Sequence, residues 1–145
     1  MSVAVFSTVL AVIVGVVIAV QTLFAGTLGH RVGLIESVFI IHLGGFLISG
    51  VYLLITGGGN LGAWRAAPWY VLCGGFLGVV IIGGYGYVIP RIGLASSITL
   101  AVSAQLIFSA ILNHYGVLGA VQHPITLPRV MGILVLLVGT WLIVR

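Results

Sequence analysis

Five long runs of apolar residues restrict what this chain can fold into more than any other feature. They cover residues 3–25, 35–56, 69–89, 94–112 and 128–144, and short segments rich in Gly, Pro, Arg or Asn separate them. A run of about 20 apolar residues can cross the hydrocarbon core of a bilayer as a helix. Backbone polar groups must be paired inside a membrane, and strand-like alternation is absent. Each run is therefore predicted to form a transmembrane helix.

The composition supports an all-α integral membrane protein with five transmembrane helices in a single membrane domain, residues 1–145. Hydrophobic residues make up 61% of the chain and charged residues 4%, whereas a soluble domain has about 25% charged residues. The first run lacks a basic segment before it and is longer than a signal-peptide core, so we expect it to remain as a helix. The basic residues are scattered singly, which gives no indication of nucleic-acid binding.

The connectors between the predicted helices differ in length. Residues 26–34 and 90–93 are predicted to be short turns, because Gly and Pro interrupt the apolar pattern there. Residues 56–68 and 113–128 are long enough to hold a little structure of their own.

The arginines give almost no bias in orientation across the membrane. With five spans, Arg65 and Arg129 lie on the side of the N-terminus, and Arg31, Arg91 and Arg145 lie on the opposite side. Orientation normally follows an excess of Lys and Arg in cytoplasmic loops. The near balance predicts dual topology, in which copies of opposite orientation form an antiparallel homodimer. The alternative is a weak bias toward one orientation.

Glu36 is the only acidic side chain of the sequence, and His42 lies in the same predicted span. Ionisable side chains within a span are costly and usually face a protein interior or a water-filled cavity. On a helix the two residues are about 240° apart around the axis and about 9 Å apart along it. They are the candidate proton-binding or substrate-binding residues, and each has a structural alternative. Glu36 is in a first helical turn near Arg31, where a negative charge is favoured, and His42 as a neutral ring can hydrogen-bond to a neighbouring helix.

Two glutamines are the candidate substrate-orienting residues. Gln21 lies near the end of the first predicted span, and Gln105 lies in the middle of the fourth on a stripe with Ser97 and Ser109. An amide offers two hydrogen-bond donors and an acceptor. Their structural alternative is hydrogen bonding between helices.

Pairs of small residues four positions apart are typical of close helix packing in membranes. Gly45 and Ser49 form such a pair in the second predicted span, and Gly74 and Gly78 form one in the third. We expect these residues to pack helices together, either within one chain or between two copies.

No motif of the chain indicates catalysis, a cofactor or a metal. His30, His114 and His123 are spaced too irregularly for a metal site and have no Cys or acidic residue nearby. A single acidic residue cannot provide two-carboxylate chemistry, and no nucleophile or phosphate-binding motif is present. The sequence therefore predicts no enzyme, no cofactor and no metal site.

The spaced motifs of the chain resemble those of the YdcZ-like membrane proteins, a family of the drug/metabolite transporter superfamily. The motifs are VQTLFAGTLGHRVG at 20–33, ESVFIIHLGG at 36–45, APWYVLCGGFLG at 67–78, IPRIG at 89–93 and AQLIFSAILNHYGVLG at 104–119. Two positions depart from the family pattern as we interpret it: Ala25, where many members have Asn, and Asn113, where many have Asp. The resemblance covers nearly the whole chain.

The resemblance implies a five-helix unit, related to half of a ten-helix exporter, in a family where antiparallel pairing is expected. Taken with the polar residues, it predicts a small secondary transporter of the inner membrane that exports a small solute. Its partners are a second copy of itself, the solute and membrane lipid. Alternating access and proton coupling are hypotheses at this point. Two alternatives remain open: a dual-topology ion channel, and an accessory membrane subunit that transports nothing.

Overall fold

The computed structural model describes residues 3–145, and this part of the chain is helical and contains no strand. Six α-helices and one short 3₁₀ helix follow one another, as listed here: α1 Val3–Val32, α2 Leu34–Ile55, the 3₁₀ helix Leu61–Ala66, α3 Trp69–Leu72, α4 Gly74–Ile92, α5 Leu94–Tyr115 and α6 Leu127–Val144. Five helical stretches are long and apolar enough to cross a membrane, with α3 and α4 together forming the third. The prediction of five spans is confirmed.

Two of the predicted turns are wrong, because the chain there is helical. The segment 26–34 was predicted as a turn, but α1 continues to Val32 and only Gly33 interrupts the helices. In the same way α4 continues through Pro90 to Ile92, and only Gly93 precedes α5. Helical glycines and a proline near a helix end are tolerated in membrane spans, where an unpaired backbone is more costly than a weak helix former.

The two one-residue breaks share a sequence pattern, Arg-x-Gly-Leu-x-x-Ser, at residues 31–37 and 91–97. Gly33 has φ 107° and Gly93 has φ 83°, values that side chains other than glycine rarely allow. In both occurrences of this pattern the backbone amide of the serine donates to the carbonyl of the glycine, and both serines, Ser37 and Ser97, are buried. The same arrangement, a glycine with a positive φ followed by this hydrogen bond, therefore begins both α2 and α5.

The chain divides into two compact units, Met1–Arg91 and Ile92–Arg145. In the first unit α1 packs against α2, and the buried core includes Ala25, Val38 and Ile82. The Ser37 hydroxyl donates to the Ala25 carbonyl across the two helices at 3.3 Å. The prediction of a single membrane domain is not tested by this division and stays a prediction.

Close packing of α4 against α1 depends on glycines that differ from the predicted ones. A Cβ atom at Gly26 would lie 2.8 Å from Cγ2 of Ile89, and one at Gly29 would lie 3.3 Å from the Cα of Gly86. Pro90 has no N–H, so the Gly86 carbonyl lacks its usual helical donor. That carbonyl instead lies beside Gly29, 3.5 Å from where its Cβ would be.

In the second unit α5 packs against α6. Ser103 and Thr140 are both buried, and their hydroxyl oxygens are 2.6 Å apart, so one donates to the other between the helices. Each hydroxyl is also within hydrogen-bond distance of the carbonyl four residues earlier in its own helix. This buried pair fixes the register of α5 against α6.

The connector between α5 and α6 folds back onto the end of α5. Gly116 ends the helix in the left-handed conformation, which is a common helix terminus. The ring Nδ1 of His114 accepts a hydrogen bond from the amide of Ile125 at 3.2 Å. The amide of His123 donates to the Asn113 carbonyl at 2.8 Å. His114 and His123 therefore shape this connector.

Candidate functional site: a cleft with one imidazole and one amide

A cleft of about 440 Å³ lies in the first unit, between α1, α2 and α4. Four residues that the sequence singled out lie at this cleft: Gln21, His42, Gly45 and Gly78. Its remaining lining residues are apolar, and they are Ile41, Phe46, Ile81 and Ile82. The cleft is therefore an apolar hollow that contains an imidazole and a primary amide.

The hydrogen bond of His42 fixes the chemical character of its ring. Nδ1 lies 2.8 Å from the carbonyl oxygen of Val38, one turn earlier in α2. A carbonyl can only accept, so Nδ1 carries the proton, and in the neutral ring Nε2 is left with a free lone pair. A Cβ at Gly78 would lie 2.9 Å from Nε2. Nε2 therefore points at the Gly78 backbone, and the missing side chain at Gly78 makes room for the His42 ring against α4.

Gln21 lies deeper in its helix than the sequence indicated. Because α1 continues to Val32, Gln21 is about 16 Å from the end of the helix rather than near it. His42 is about 12 Å from the start of α2, which follows directly after Gly33. The two polar side chains therefore have similar depth in the helix pair, measured from the same break.

Glu36 does not line this cleft. It is exposed in the first turn of α2, and its carboxylate occupies the space where a side chain on Gly33 would be. The start of a helix favours a negative charge, so this position fits the structural alternative for Glu36. Its role as a proton site stays a prediction.

Gln105 lies in the second unit, on the exposed side of α5. It lines a different hollow of about 520 Å³ together with Ser109, and apolar residues of α5 surround both. The predicted stripe of Gln105 and Ser109 is thus present on one face of the helix. Its role in orienting a substrate stays a prediction.

The predicted packing residues have different surroundings in the single chain. A Cβ at Gly45 or Gly74 would meet nothing within 4 Å, whereas Gly78 faces His42. Ser49 is exposed, and its hydroxyl donates to the Phe46 carbonyl within α2. Packing by Gly45, Ser49 and Gly74 against a second copy is not tested here and stays a prediction.

Sequence patterns could not identify the apolar lining of the cleft. Ile41, Phe46, Ile81 and Ile82 look like any other apolar residues of a span, and helical periodicity shows which residues share a face but not which helix that face meets. The close packing at Gly26 and Gly29 does have a sequence signal, because two glycines three positions apart lie on one side of a helix.

These features define the class: an all-helical integral membrane protein with five spans and a small apolar cleft that contains an imidazole and an amide. The family model described as "Putative inner membrane exporter, YdcZ" matches residues 6–142. The chain therefore belongs to the YdcZ family of inner-membrane exporters, which confirms the resemblance seen in the motifs and the location in the inner membrane. No curated protein and no solved structure matches the sequence.

Proposed function

We propose that this protein exports a small solute in exchange for protons, as an antiparallel homodimer that works by alternating access. The family description supplies the direction of transport. The observation that supports the exchange is a titratable imidazole, His42, in an otherwise apolar cleft beside the amide of Gln21. Neither catalysis nor a resident cofactor is part of the proposal.

A proton and an apolar solute disfavour one another at this cleft. Nδ1 already donates to Val38, so Nε2 is the one ring position that can take a further proton. Once Nε2 is protonated, the ring is a cation in an apolar site, which is costly unless water replaces the solute beside it. Binding of one species therefore opposes binding of the other, which is the basic requirement for exchange.

Two features of the surface of the single chain support the proposal that a second copy binds to it. Gln21 and Gln105 are exposed on the single chain although both lie well inside membrane-spanning helices. Polar side chains at such positions normally face protein or water rather than lipid. In α1, every residue from 3 to 18 is exposed and all buried residues lie in the later part of the helix. A partner chain would cover both features.

An antiparallel arrangement follows from the balance of arginines on the two sides. Two opposite copies of a five-helix chain reproduce an inverted repeat, the architecture on which many transporters are built, with the solute site near the middle of the membrane. Alternating access then results when one copy rocks against the other.

Proton exchange is tested with purified protein in liposomes that contain the pH indicator pyranine. A panel of amino acids, organic cations, small alcohols and phenols is added outside, and every experiment starts from the same pH inside the liposomes. We expect at least one compound to change the inner pH in a protein-dependent and saturable way. His42→Ala and Gly78→Ala should lose most of this response, because the first removes the imidazole and the second places a methyl group against the ring and displaces it.

Gly84→Ala is the matched control. It also adds one methyl group to α4, and its Cβ meets nothing within 4 Å, so its response should equal that of the unmodified protein. A full pH response in His42→Ala would contradict the assignment to His42. The same conclusion would follow if Glu36→Gln lost the pH response while His42→Ala kept it. Currents far above carrier rates would favour a channel, and no response to any compound would favour an accessory subunit.

A further inference from the structure

We infer that the connector between α5 and α6, residues 116–126, is attached to the end of α5 in a pH-dependent way. A hydrogen bond that only an unprotonated His114 ring can accept holds the last part of this connector in place. When the ring gains a proton, that part of the connector is released. The inference concerns the conformation of the connector and goes beyond the proposed transport function.

The contact that makes the connector sensitive to pH joins the His114 ring to the backbone of Ile125. The amide nitrogen of Ile125 lies 3.2 Å from Nδ1 of His114. A backbone N–H can only donate, so Nδ1 is the acceptor and the proton of the neutral ring is on Nε2. A ring that is protonated at both nitrogens has donors only. Gaining a proton therefore breaks this bond and places two N–H groups against each other.

Two further bonds attach the connector to the same end of α5, and neither depends on the charge of a ring. The side-chain amide of Gln122 donates to the His114 carbonyl at 3.3 Å. The backbone amide of His123 donates to the Asn113 carbonyl at 2.8 Å. Carbonyl oxygens do not gain protons in the range where histidine does. We therefore expect acid to free the backbone of Ile125 and to leave these two bonds in place.

The titratable and charged groups around His114 leave this effect uncompensated. The Tyr115 ring lies edge-on to the imidazole, with the ring centroids 4.9 Å apart, and the connector itself contains the imidazole of His123. The rest of the second unit contains Arg129 and Arg145 but no Asp or Glu. No carboxylate side chain of this unit can therefore hold the protonated ring in place of the lost bond.

The bond of Ile125 also determines how firmly the start of α6 is attached to the end of α5. Ile125 directly precedes Thr126, the N-cap residue of α6, so release allows the start of α6 to move relative to α5. In the proposed antiparallel pair the two connectors lie on opposite sides of the membrane. A pH difference across the membrane would then release one connector and not the other. This last consequence rests on the proposed function, whereas the release itself does not.

The inference is tested by hydrogen exchange of single backbone amides in the purified full chain in detergent. Exchange is measured at about pH 8 and about pH 5, the range in which histidine changes its charge. Rates are converted to protection factors, which removes the intrinsic pH dependence of amide exchange. We expect the protection of Ile125 to fall about three- to tenfold in acid, the contribution of one hydrogen bond. The amide of His123 should keep its protection.

His114→Asn separates the hydrogen bond from the charge, because the side-chain oxygen of asparagine can accept from Ile125 and does not titrate. Its protection should be the same at both pH values, and higher than that of His114→Ala, which has no acceptor. His123→Asn is the matched control, since it removes the other imidazole of the connector and should keep the full pH dependence.

Three results would overturn the inference. The first is equal protection of Ile125 at the two pH values in the unmodified chain. The second is a pH dependence that survives in both His114→Asn and His114→Ala. The third is loss of the pH dependence in His123→Asn, which would assign the effect to the other ring. None of these measurements requires transport, so failure of the proposed exchange and failure of this inference are distinguished.

Discussion

At the scale of single residues, Gly26 shows how little space separates α1 from α4. It is buried, and any side chain there would overlap Ile89, with the nearest atom 2.8 Å from the added Cβ. Overlap with Cβ and Cγ2 of a β-branched residue is difficult to relieve, because both atoms lie close to the backbone. Small residues let membrane helices approach closely where lipid provides no hydrophobic driving force.

We expect Gly26→Ala to destabilise the protein by about 1–3 kcal/mol, the usual cost of an extra methyl group in a well-packed contact. Thermal unfolding in a fixed detergent measures the change. Gly84→Ala in α4 is the control, since its Cβ meets nothing within 4 Å, and it should unfold at the same temperature as the original chain or slightly above it.

A second substitution identifies the cause. Adding Ile89→Ala to Gly26→Ala should make the double variant more stable than the sum of the two single effects, because the clash is then removed. Simple additivity of the two effects would show that Gly26 and Ile89 are not the colliding pair.

At the residue scale, the sequence singles out His42 and Gln21 because ionisable or strongly polar groups within a span are costly, and both line one cleft. Their roles in binding stay predictions. The small-residue spacing also singles out Gly78, which lies against the His42 ring of α2. The spacing shows that Gly78 can approach another helix but not which residue it meets, because that depends on which face of α4 meets α2.

At the scale of elements, the buried hydrogen bond between Ser103 and Thr140 joins α5 to α6. Such bonds contribute about 0.6 kcal/mol on average and at most about 1.7 kcal/mol in membrane proteins, because the unfolded state in the membrane also finds partners. A double-mutant cycle of Ser103→Ala and Thr140→Val should therefore give a coupling within this range in unfolding experiments.

Thr99 provides the comparison for that cycle. Its hydroxyl donates to the Ala95 carbonyl within α5 at 2.7 Å, so a cycle of Thr99→Val and Thr140→Val should give a coupling near zero. Equal coupling in the two cycles would mean that the bond between the helices contributes nothing specific.

The elements themselves were largely predictable, but their ends were not. Hydrophobic length identified all five spans, since no other feature of a chain produces runs of about 20 apolar residues. The glycines and Pro90 indicate turns at 26–34 and 90–93, yet in a membrane the helix continues until a single glycine with a positive φ, Gly33 or Gly93, interrupts it. Turn chemistry from soluble proteins therefore ends these helices too early.

At the scale of the whole molecule, three of the five arginines lie at helix ends. Arg31 and Arg91 are in the last turns of α1 and α4, and Arg145 follows the end of α6. Basic residues there complement the partial negative charge at a helix C-terminus. Helix ends alone therefore account for these positions, and the distribution of arginines across the membrane stays a prediction.

We expect reporters fused to the C-terminus to detect both orientations. A fluorescent protein that works only inside the cell and a phosphatase that works only outside should both be active. Replacing Arg65 and Arg129 by Ala together removes the positive charges of one side, and should shift the population until the opposite side is inside. Gln122→Ala is the neutral control, and activity of a single reporter in the original chain would contradict dual topology.

The one-residue break at Gly33 also affects how the first unit can deform. At this break α1 and α2 are joined without slack, whereas residues 56–68 separate the other end of α2 from α3. A relative movement of α1 and α2 is therefore smallest at Gly33 and largest at the ends far from it. If two copies have opposite orientations, each membrane face contains the joined ends of one copy and the separable ends of the other, so opening on one face does not require opening on the second.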